Sequence, residues 1–276
     1  MLVEIENLRI GFTSGTETFE AVRDVSFSVG KEKFAIVGES GSGKSLTARC
    51  LMQLLPGNAK VTADKMKFDG IDLRGASEKV MRQVRGKRVG FILQDPKYSL
   101  NPVMTIGQQI AEAWREHKGG SKRDALKAAV DLLSQVKIRD PELVAKRYPH
   151  EVSGGMGQRV MIAMMLAPDP ELLIADEPTS ALDATVQAEI LRLIDDLVSQ
   201  RGMGLILISH DLPLVSHFCD RVAVMYSGRI VEMLAAGDLQ QAQHPYTKGL
   251  LACLPSLRHP RARLPVMQRE AAWREE

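Results

Sequence analysis

The spacing of the hydrophobic positions changes along the chain, and this change predicts a mixture of strands and helices. Near the N-terminus, Val3 and Ile5 and later Phe27 and Val29 alternate with polar residues, as in half-buried antiparallel strands. The segment Lys33–Val37 is mostly apolar and is followed by a glycine, which is typical of a buried parallel strand. The alternating segments followed by a buried strand predict an α/β fold with an N-terminal antiparallel β subdomain.

The rest of the chain continues the α/β pattern. Helical spacing over residues 45–55 predicts a helix that ends at Pro56-Gly57. Three later apolar runs predict further buried strands: 89–93, 172–175 and 205–208. An amphipathic helix is predicted over 184–199, and mostly helical spacing from about 95 to 152 predicts a helical subdomain inserted in the core. Residues 246–276, which are Pro-rich after Leu254, are predicted to form a short C-terminal extension of a domain that covers residues 1–245.

Composition and charge exclude few classes of function. The chain has 276 residues, of which 45% are hydrophobic and 25% charged, an ordinary globular balance. The formal net charge of +2 leaves no basic footprint, so no nucleic-acid partner is expected. The three cysteines are far apart and form neither a disulfide framework nor a metal-ligand spacing, which fits a reducing cytosol. No signal peptide is expected, and the longest apolar stretch, 160–167, is far shorter than the ~20 residues that span a bilayer.

A glycine-rich segment lies between the predicted strand at 33–37 and the predicted helix at 45–55. It matches the phosphate-binding pattern G-x-x-x-x-G-K-S, in which glycines let backbone amides close around a phosphate. In such a P-loop the lysine reaches the β- and γ-phosphates, and the hydroxyl of the last residue binds Mg²⁺. The predicted nucleotide-binding positions are Gly38, Ser40, Gly41, Gly43, Lys44 and Ser45.

Two carboxylates stand at the end of the apolar run 172–175. Because ligands of α/β sheets bind at the carboxyl ends of the strands, this position suits catalysis. Asp176 is predicted to hold Mg²⁺, and Glu177 is the candidate general base that polarises the attacking water. Alone, an apolar run that ends in Asp-Glu is a common strand end. The P-loop is what makes the functional interpretation the better one.

Four further features point to a family. They are the segment Val-Ser-Gly-Gly-Met-Gly-Gln-Arg at 152–159, the segment Ser-Ala-Leu-Asp at 180–183, and the single residues Gln94 and His210. Together with the P-loop and the acidic strand end, they resemble the ATP-binding cassette of ABC transporters, in family order and over nearly the whole chain. Val152 and Met156 replace the family's usual Leu and Gln, so no contact is carried over to the side chain at 156.

The resemblance implies that two subunits share each ATP. Ser153 and Gly155 would lie at a helix N-terminus and cap the γ-phosphate held by the partner's P-loop, and Gln158 is carried over as a further nucleotide-binding position. Asp183 would line the seam between the subunits. The second ATP-binding subunit would be either another copy of this chain or a related one, so a homodimer and a heterodimer both remain open.

The resemblance also implies roles around the reacting phosphate. Gln94 would sense Mg²⁺ and the attacking water, and His210 would contact the γ-phosphate and orient Glu177. An aromatic residue upstream of the P-loop should stack on adenine. Phe12 is favoured over Phe19, although for either residue a place in the core is nearly as good an interpretation.

The resemblance is sharpest to the importers of oligopeptides, dipeptides and nickel. It rests on four segments: Ser-Leu-Asn-Pro at 99–102, the Gly-Gly-Met form at 154–156, Gln-Arg-Val-Met-Ile-Ala at 158–163, and His-Pro-Tyr-Thr-Lys-Gly-Leu-Leu at 244–251. It implies integral membrane permease subunits as partners, with 98–102 as their contact surface, and a solute-binding protein acting indirectly. The expected location is peripheral, on the cytoplasmic face of the inner membrane. The short tail with its single Cys253 predicts no iron–sulfur cluster and slightly favours nickel.

A cassette ATPase that acts with soluble partners is the alternative. DNA-repair and chromosome-organising relatives carry a long coiled coil between the P-loop and the signature segment. Here the interval between Ser45 and Ser153 shows no sustained heptads. Glu177 also argues against a regulatory cassette that has lost hydrolysis. Transport is therefore the favoured interpretation.

Overall fold

The computed structural model describes residues 1–14, 17–96 and 99–254. The chain forms two compact units, of which unit 1 contains Met1–Gly75 and the chain from Ile206 onward, and unit 2 contains Ala76–Leu205. The strands are β1 (Val3–Ser14), β2 (Glu17–Val29), β3 (Lys33–Val37), β4 (Ala59–Thr62), β5 (Lys65–Phe68), β6 (Ile71–Asp72), β7 (Val89–Ile92), β8 (Leu172–Asp176), β9 (Gly204–Ser209), β10 (Arg221–Tyr226) and β11 (Arg229–Ala235). The helices are α1 (Lys44–Leu51), α2 (Glu78–Val84), α3 (Ile106–Lys118), α4 (Lys122–Gln135), α5 (Pro141–Val144), α6 (Gly154–Leu166), α7 (Ala184–Arg201), α8 (Leu212–Phe218) and α9 (Pro245–Ala252).

Unit 1 contains an antiparallel sheet in the order β2-β1-β5-β6, with β4 also paired to β1. Val3 lies opposite Val29, and Ile5 lies opposite Phe27. All four side chains are at most 5% exposed, because the alternation of the two strands brings their apolar residues to one face. The predicted N-terminal antiparallel β subdomain is confirmed.

Unit 1 also contains strands of a second sheet, among them β3, which leads into the P-loop. These strands lie in the order β11-β10-β3-β9, and β10 is parallel to β3 but antiparallel to β11. Four of the five residues of β3 are buried, as its apolar run predicts. The carboxyl end of this buried strand leads directly into the loop at 38–43.

Unit 2 combines a strand pair with a cluster of helices. β7 and β8 pair in parallel, and every residue of both strands is buried. α3, α4 and α6 contact one another. α3 begins at a capping box, in which the Thr105 hydroxyl accepts from the backbone N–H of Gln108 and the Gln108 side chain accepts from the Thr105 N–H. The helices α3 to α5 lie within the segment where a helical insertion is predicted, and the α/β class is confirmed.

The helix after the P-loop is shorter than predicted. α1 ends at Leu51, where the sequence predicts Leu55. Gln53 has a φ of 49°, in the left-handed region, and the N–H of Leu54 donates to the carbonyl of Arg49 at 3.0 Å. This turn satisfies the last carbonyls of the helix and ends it before the proline is reached.

Two predictions concern parts of the chain that the structure describes only partly. Within the described ranges, no helix is long and apolar enough to cross a membrane. Tyr98, which belongs to the predicted permease contact, and residues 255–276 of the predicted extension lie outside the described residues. The domain limits at 95, 152 and 245 stay predictions.

Candidate active site

The P-loop connects β3 to α1 and has glycines where a side chain would not fit. Gly38 has a φ of 148°, and a Cβ there would lie 2.1 Å from the carbonyl oxygen of Met225. Gly43 has a φ of 102° and directly precedes α1, and a Cβ there would lie 2.9 Å from the carbonyl oxygen of Ala21. Both positions therefore require glycine for conformation and for space. Ser40 and Gly41 lie at the exposed tip of the loop.

Lys44 turns back into the loop. It is 5% exposed, and its Nζ donates to the carbonyl oxygens of Gly38 at 2.9 Å and Glu39 at 2.8 Å. Ser45 follows in the first turn of α1, which contains no acidic residue. The ammonium group, the amides of the first turn and the helix dipole together favour an anion at this end of α1.

The acidic strand end lies in unit 2 and contains a strained residue. Asp176 is the last residue of β8 and is 2% exposed. Glu177 follows with a φ of 46°, a left-handed conformation that is uncommon outside glycine. Its carbonyl oxygen accepts from the N–H of Ser180 at 3.3 Å and from the Ser180 hydroxyl at 3.2 Å. Backbone strain of this kind concentrates at functional sites, where the surrounding structure maintains it.

Gln94 is in contact with the candidate base. Its Nε2 donates to Glu177 Oε2 at 3.3 Å, although the two residues are 83 positions apart in sequence. Both side chains reach the surface of unit 2, since Gln94 is exposed and Glu177 is partly exposed. The structure therefore brings together two of the three predicted catalytic residues. The hydrogen bond restricts the orientation of the Glu177 carboxylate, the candidate general base.

The signature segment forms the start of α6. Ser153 is the N-cap residue, and its Oγ accepts from the N–H of Met156 at 3.4 Å. A Cβ at Gly155 would lie 2.7 Å from Val186 Cγ1, so α6 approaches α7 closely at this point. Ser153 and Gly154 are exposed, and the first turn contains no acidic residue. An exposed helix N-terminus without carboxylates is suited to a phosphate.

Two predicted contact residues have surroundings that the sequence analysis does not anticipate. Gln158 is 1% exposed inside unit 2, so its predicted contact with nucleotide gains no support from its position. Asp183 is exposed and is the N-cap residue of α7, where its Oδ1 accepts from the N–H groups of Thr185 and Val186, both at 3.1 Å. An Asp directly before an amphipathic helix is the sequence signal for that role.

The remaining predicted residues belong to unit 1. Phe12 lies opposite Phe19 in the β1–β2 register, so their side chains share a face of the sheet. Phe19 is 66% exposed, whereas Phe12 is partly buried. His210 is exposed and follows β9 directly. One contact with the P-loop is absent from the sequence analysis: the N–H of Glu39 donates to the hydroxyl oxygen of Tyr246 at 3.1 Å.

Fold and local geometry together define a P-loop nucleoside triphosphatase. A glycine-rich loop follows a buried parallel strand, and a second buried strand ends in two carboxylates. The family model described as ABC transporter matches residues 22–180, more than half of the chain. The chain therefore belongs to the ABC transporter family and is one of its ATP-binding cassettes.

Individual relatives agree with this assignment. The dipeptide transport ATP-binding protein DppD of Bacillus subtilis is 49% identical over 93% of this chain and 77% of its own length. The oligopeptide transport ATP-binding protein OppD of the same organism is 49% identical over 93% of this chain and 72% of its own length. A solved dimer of the cassette MJ0796, in a post-hydrolysis state with ADP and Pi, is 26% identical with a TM-score of 0.75, over 85% of this chain and 98% of that one. The predicted ATP-binding and ATPase activities are confirmed.

Proposed function

We propose that this chain is the ATP-hydrolysing subunit of a peptide importer. The observation that carries the proposal is the 49% identity, over 93% of the chain, to proteins named for dipeptide and oligopeptide transport. The slight preference for nickel has no support among these names, so peptides are the proposed cargo. The subunit would act peripherally on the cytoplasmic face of the inner membrane and drive uptake of the cargo through permease subunits, to which a solute-binding protein delivers it.

Each predicted site residue is proposed to have its own part in hydrolysis. Lys44 would bind the β- and γ-phosphates, and His210 would contact the γ-phosphate. Glu177 would accept a proton from the attacking water, with Gln94 orienting its carboxylate through the 3.3 Å hydrogen bond. Phe12 would stack on adenine, sharing that face of the sheet with Phe19.

Mg²⁺ is the proposed cofactor, and the donor atoms suit it. The predicted ligands supply a hydroxyl oxygen from Ser45, a carboxylate from Asp176 and an amide oxygen from Gln94. Mg²⁺ prefers such hard oxygen ligands and usually binds through one or two carboxylates together with substrate phosphates. When bound, it would neutralise charge that develops on the phosphates. Asp176 is 2% exposed at the end of β8, which limits the freedom of its carboxylate.

A dimer is proposed to complete each ATP site. The exposed start of α6, with Ser153 and Gly155, would bind the γ-phosphate held by the P-loop of the partner subunit. Asp183, which caps α7 in this chain, would lie at the seam between subunits. Support comes from the exposed start of α6, where a helix N-terminus can bind an anion although the segment 152–158 contains no lysine. Both the homodimer and the heterodimer are compatible with this arrangement.

Ser153→Arg is expected to separate ATP binding from hydrolysis. The long cation would occupy the space of the γ-phosphate at the exposed start of α6, while the P-loop of the same chain is unchanged. ATP should then bind with wild-type affinity, whereas dimerisation and phosphate release should fall by roughly 100-fold or more, as when a transition-state contact is removed. Nucleotide titration, size-exclusion chromatography with ATP and a phosphate-release assay measure the three quantities.

Arg123 provides the matched control position, because it is exposed in the first turn of α4, another helix of unit 2. Arg123→Ser, which exchanges the same two residue types in the other direction, is expected to leave all three quantities unchanged. Full hydrolysis by Ser153→Arg would contradict the shared site.

A groove in unit 2 is the proposed contact for the permease. It has a volume of about 450 Å³, and residues of its wall include Ser99 and Asn101 from the predicted contact segment. Gln109 holds this segment in place, since its side chain accepts from the N–H of Asn101 at 2.8 Å and donates to the Asn101 carbonyl at 3.0 Å. Glu112 and Glu116 are exposed on the same wall and favour a partner segment with positive charge.

A pull-down of the tagged full chain from its own membranes tests the importer proposal. We expect a multispanning membrane pair, a second cassette subunit and a peptide-binding protein to copurify. The double variant Glu112→Lys with Glu116→Lys should lose the membrane pair but still bind ATP. Asp131→Lys, a charge reversal at an exposed position of α4, is the matched control and should retain the pair.

Other outcomes of the pull-down would contradict the proposal. Recovery of soluble partners alone, with ATPase activity that membranes do not change, would favour the cassette ATPase that acts outside transport. Copurification of a nickel-binding protein in place of a peptide-binding protein would contradict peptides as the cargo but would still support the importer proposal.

A further inference from the structure

The helix α9 and the loop before it are anchored tightly in unit 1. The N–H of Gln243 donates to Glu232 Oε1, on β11, at 2.6 Å. His244 is the N-cap residue of α9, and its Nδ1 accepts from the N–H of Tyr246 at 3.1 Å, while Pro245 occupies the first helical position. The His-Pro-Tyr sequence therefore caps and starts the helix, and it directs the third residue into the protein.

Tyr246 is completely buried and lies against the end of β10. Its exposed fraction is 0%, and its ring lies 4.3 Å from the ring of Tyr226, centroid to centroid. The preceding residue of β10, Met225, has the carbonyl that would clash with a side chain at Gly38. The end of β10 therefore borders both the P-loop and the tyrosine from α9.

One peptide group of the P-loop is held from two sides. The Gly38–Glu39 peptide donates its N–H to the Tyr246 hydroxyl at 3.1 Å and accepts from Lys44 Nζ at its carbonyl oxygen at 2.9 Å. In a planar trans peptide these two groups point in opposite directions, so rotation of the peptide moves both together. The tyrosine hydroxyl thus helps to fix the orientation of the Gly38 carbonyl, which accepts from Lys44.

We propose that Tyr246 is a positioning residue for ATP binding, through which α9 maintains the P-loop in the conformation that accepts phosphate. The inference rests on the assignment of the P-loop to ATP. It adds to the site a residue that lies 207 positions from Glu39 in the sequence. Without the hydroxyl, the Gly38–Glu39 peptide loses the hydrogen bond on its N–H side, and the carbonyl oxygen that accepts from Lys44 is held less firmly.

Tyr246→Phe tests the inference, because it removes the hydroxyl and keeps the ring. The Kd and the KM of the full chain for ATP should rise by about fivefold, the size expected for one hydrogen bond, with kcat and Tm little changed. Amide exchange at Glu39, measured by NMR without nucleotide, should be faster than in the wild type. Thr247→Val is the matched control, since it removes a hydroxyl from a neighbouring residue of α9 that is also completely buried.

Each outcome decides the inference. Weaker ATP binding and faster Glu39 exchange in Tyr246→Phe alone support it. Wild-type Glu39 exchange or wild-type ATP affinity in Tyr246→Phe would overturn it, and so would an equal loss in Thr247→Val, which would indicate a general loosening of the helix. Because the exchange measurement needs no ATP, the inference is decided even if the wild-type chain bound no nucleotide, a result that would count against the ATP assignment itself.

Discussion

Lys44→Ala is expected to abolish ATP binding at millimolar concentrations or below. The Lys44 ammonium is 5% exposed and already held by two carbonyl oxygens of the loop, so it is positioned where phosphates would be enclosed. Hydrogen bonds to charged groups contribute about 1.5–3 kcal/mol each, so losing two of them to the β- and γ-phosphates weakens binding by roughly 100-fold or more. Titration with a fluorescent ATP analogue measures the loss directly.

The matched control for this variant is Lys31→Ala, at an exposed position in the turn between β2 and β3. It removes the same charge from unit 1 without touching the P-loop, and wild-type affinity is expected. A melting temperature for each variant separates loss of binding from loss of fold. Tight ATP binding by Lys44→Ala would contradict the assignment of this loop to phosphate.

Glu177→Gln is expected to bind ATP but to lose turnover. The amide has nearly the same shape as the carboxylate and still fits the left-handed turn after β8, but it does not accept a proton from water. General-base catalysis contributes about 10²–10⁴-fold, so kcat should fall by that amount while the Kd for ATP stays near the wild-type value. The blocked subunits should accumulate as an ATP-bound dimer, which size-exclusion chromatography detects.

Glu142→Gln is the matched control for the second variant. Glu142 is exposed in the short helix α5 of unit 2, and the same loss of charge there should leave turnover unchanged. Normal phosphate release by Glu177→Gln would remove Glu177 as the base. A Glu177→Gln dimer that forms equally well without ATP would contradict the proposal that the two subunits share each ATP.

Local patterns predicted the elements that bear the site. The strand β3 has the predicted bounds, Lys33–Val37, because a continuous apolar run followed by glycine has few alternatives in an α/β protein. The end of α1 was predicted wrongly, since helical spacing continues past Leu51 while the left-handed residue Gln53 ends the helix. The pattern of apolar positions does not predict when a non-glycine residue adopts that conformation.

Membership of a motif left the surroundings of two residues undetermined. Asp183 was predicted only at a subunit seam, and the structure shows it as the N-cap residue of α7, a local role that an Asp before an amphipathic helix signals. Gln158 lies in the signature motif but is buried, because the inward face of α6 is decided by its contacts with α3, α4 and α7. Motif membership alone does not distinguish a side chain that faces a ligand from one that faces the core.

The sequence by itself determined the P-loop, the acidic strand end and the signature segment, because the atoms of each motif come from consecutive residues. Backbone amides, a lysine and a helix start need only a short stretch of chain to assemble. Only the tertiary structure decided which distant residues support these motifs. Examples are Met225, whose carbonyl lies beside Gly38, and Tyr246, whose hydroxyl accepts from the Glu39 N–H. Those contacts depend on the pairing of β3 with β10 and on the anchoring of α9, which involve long-range packing that no local pattern encodes.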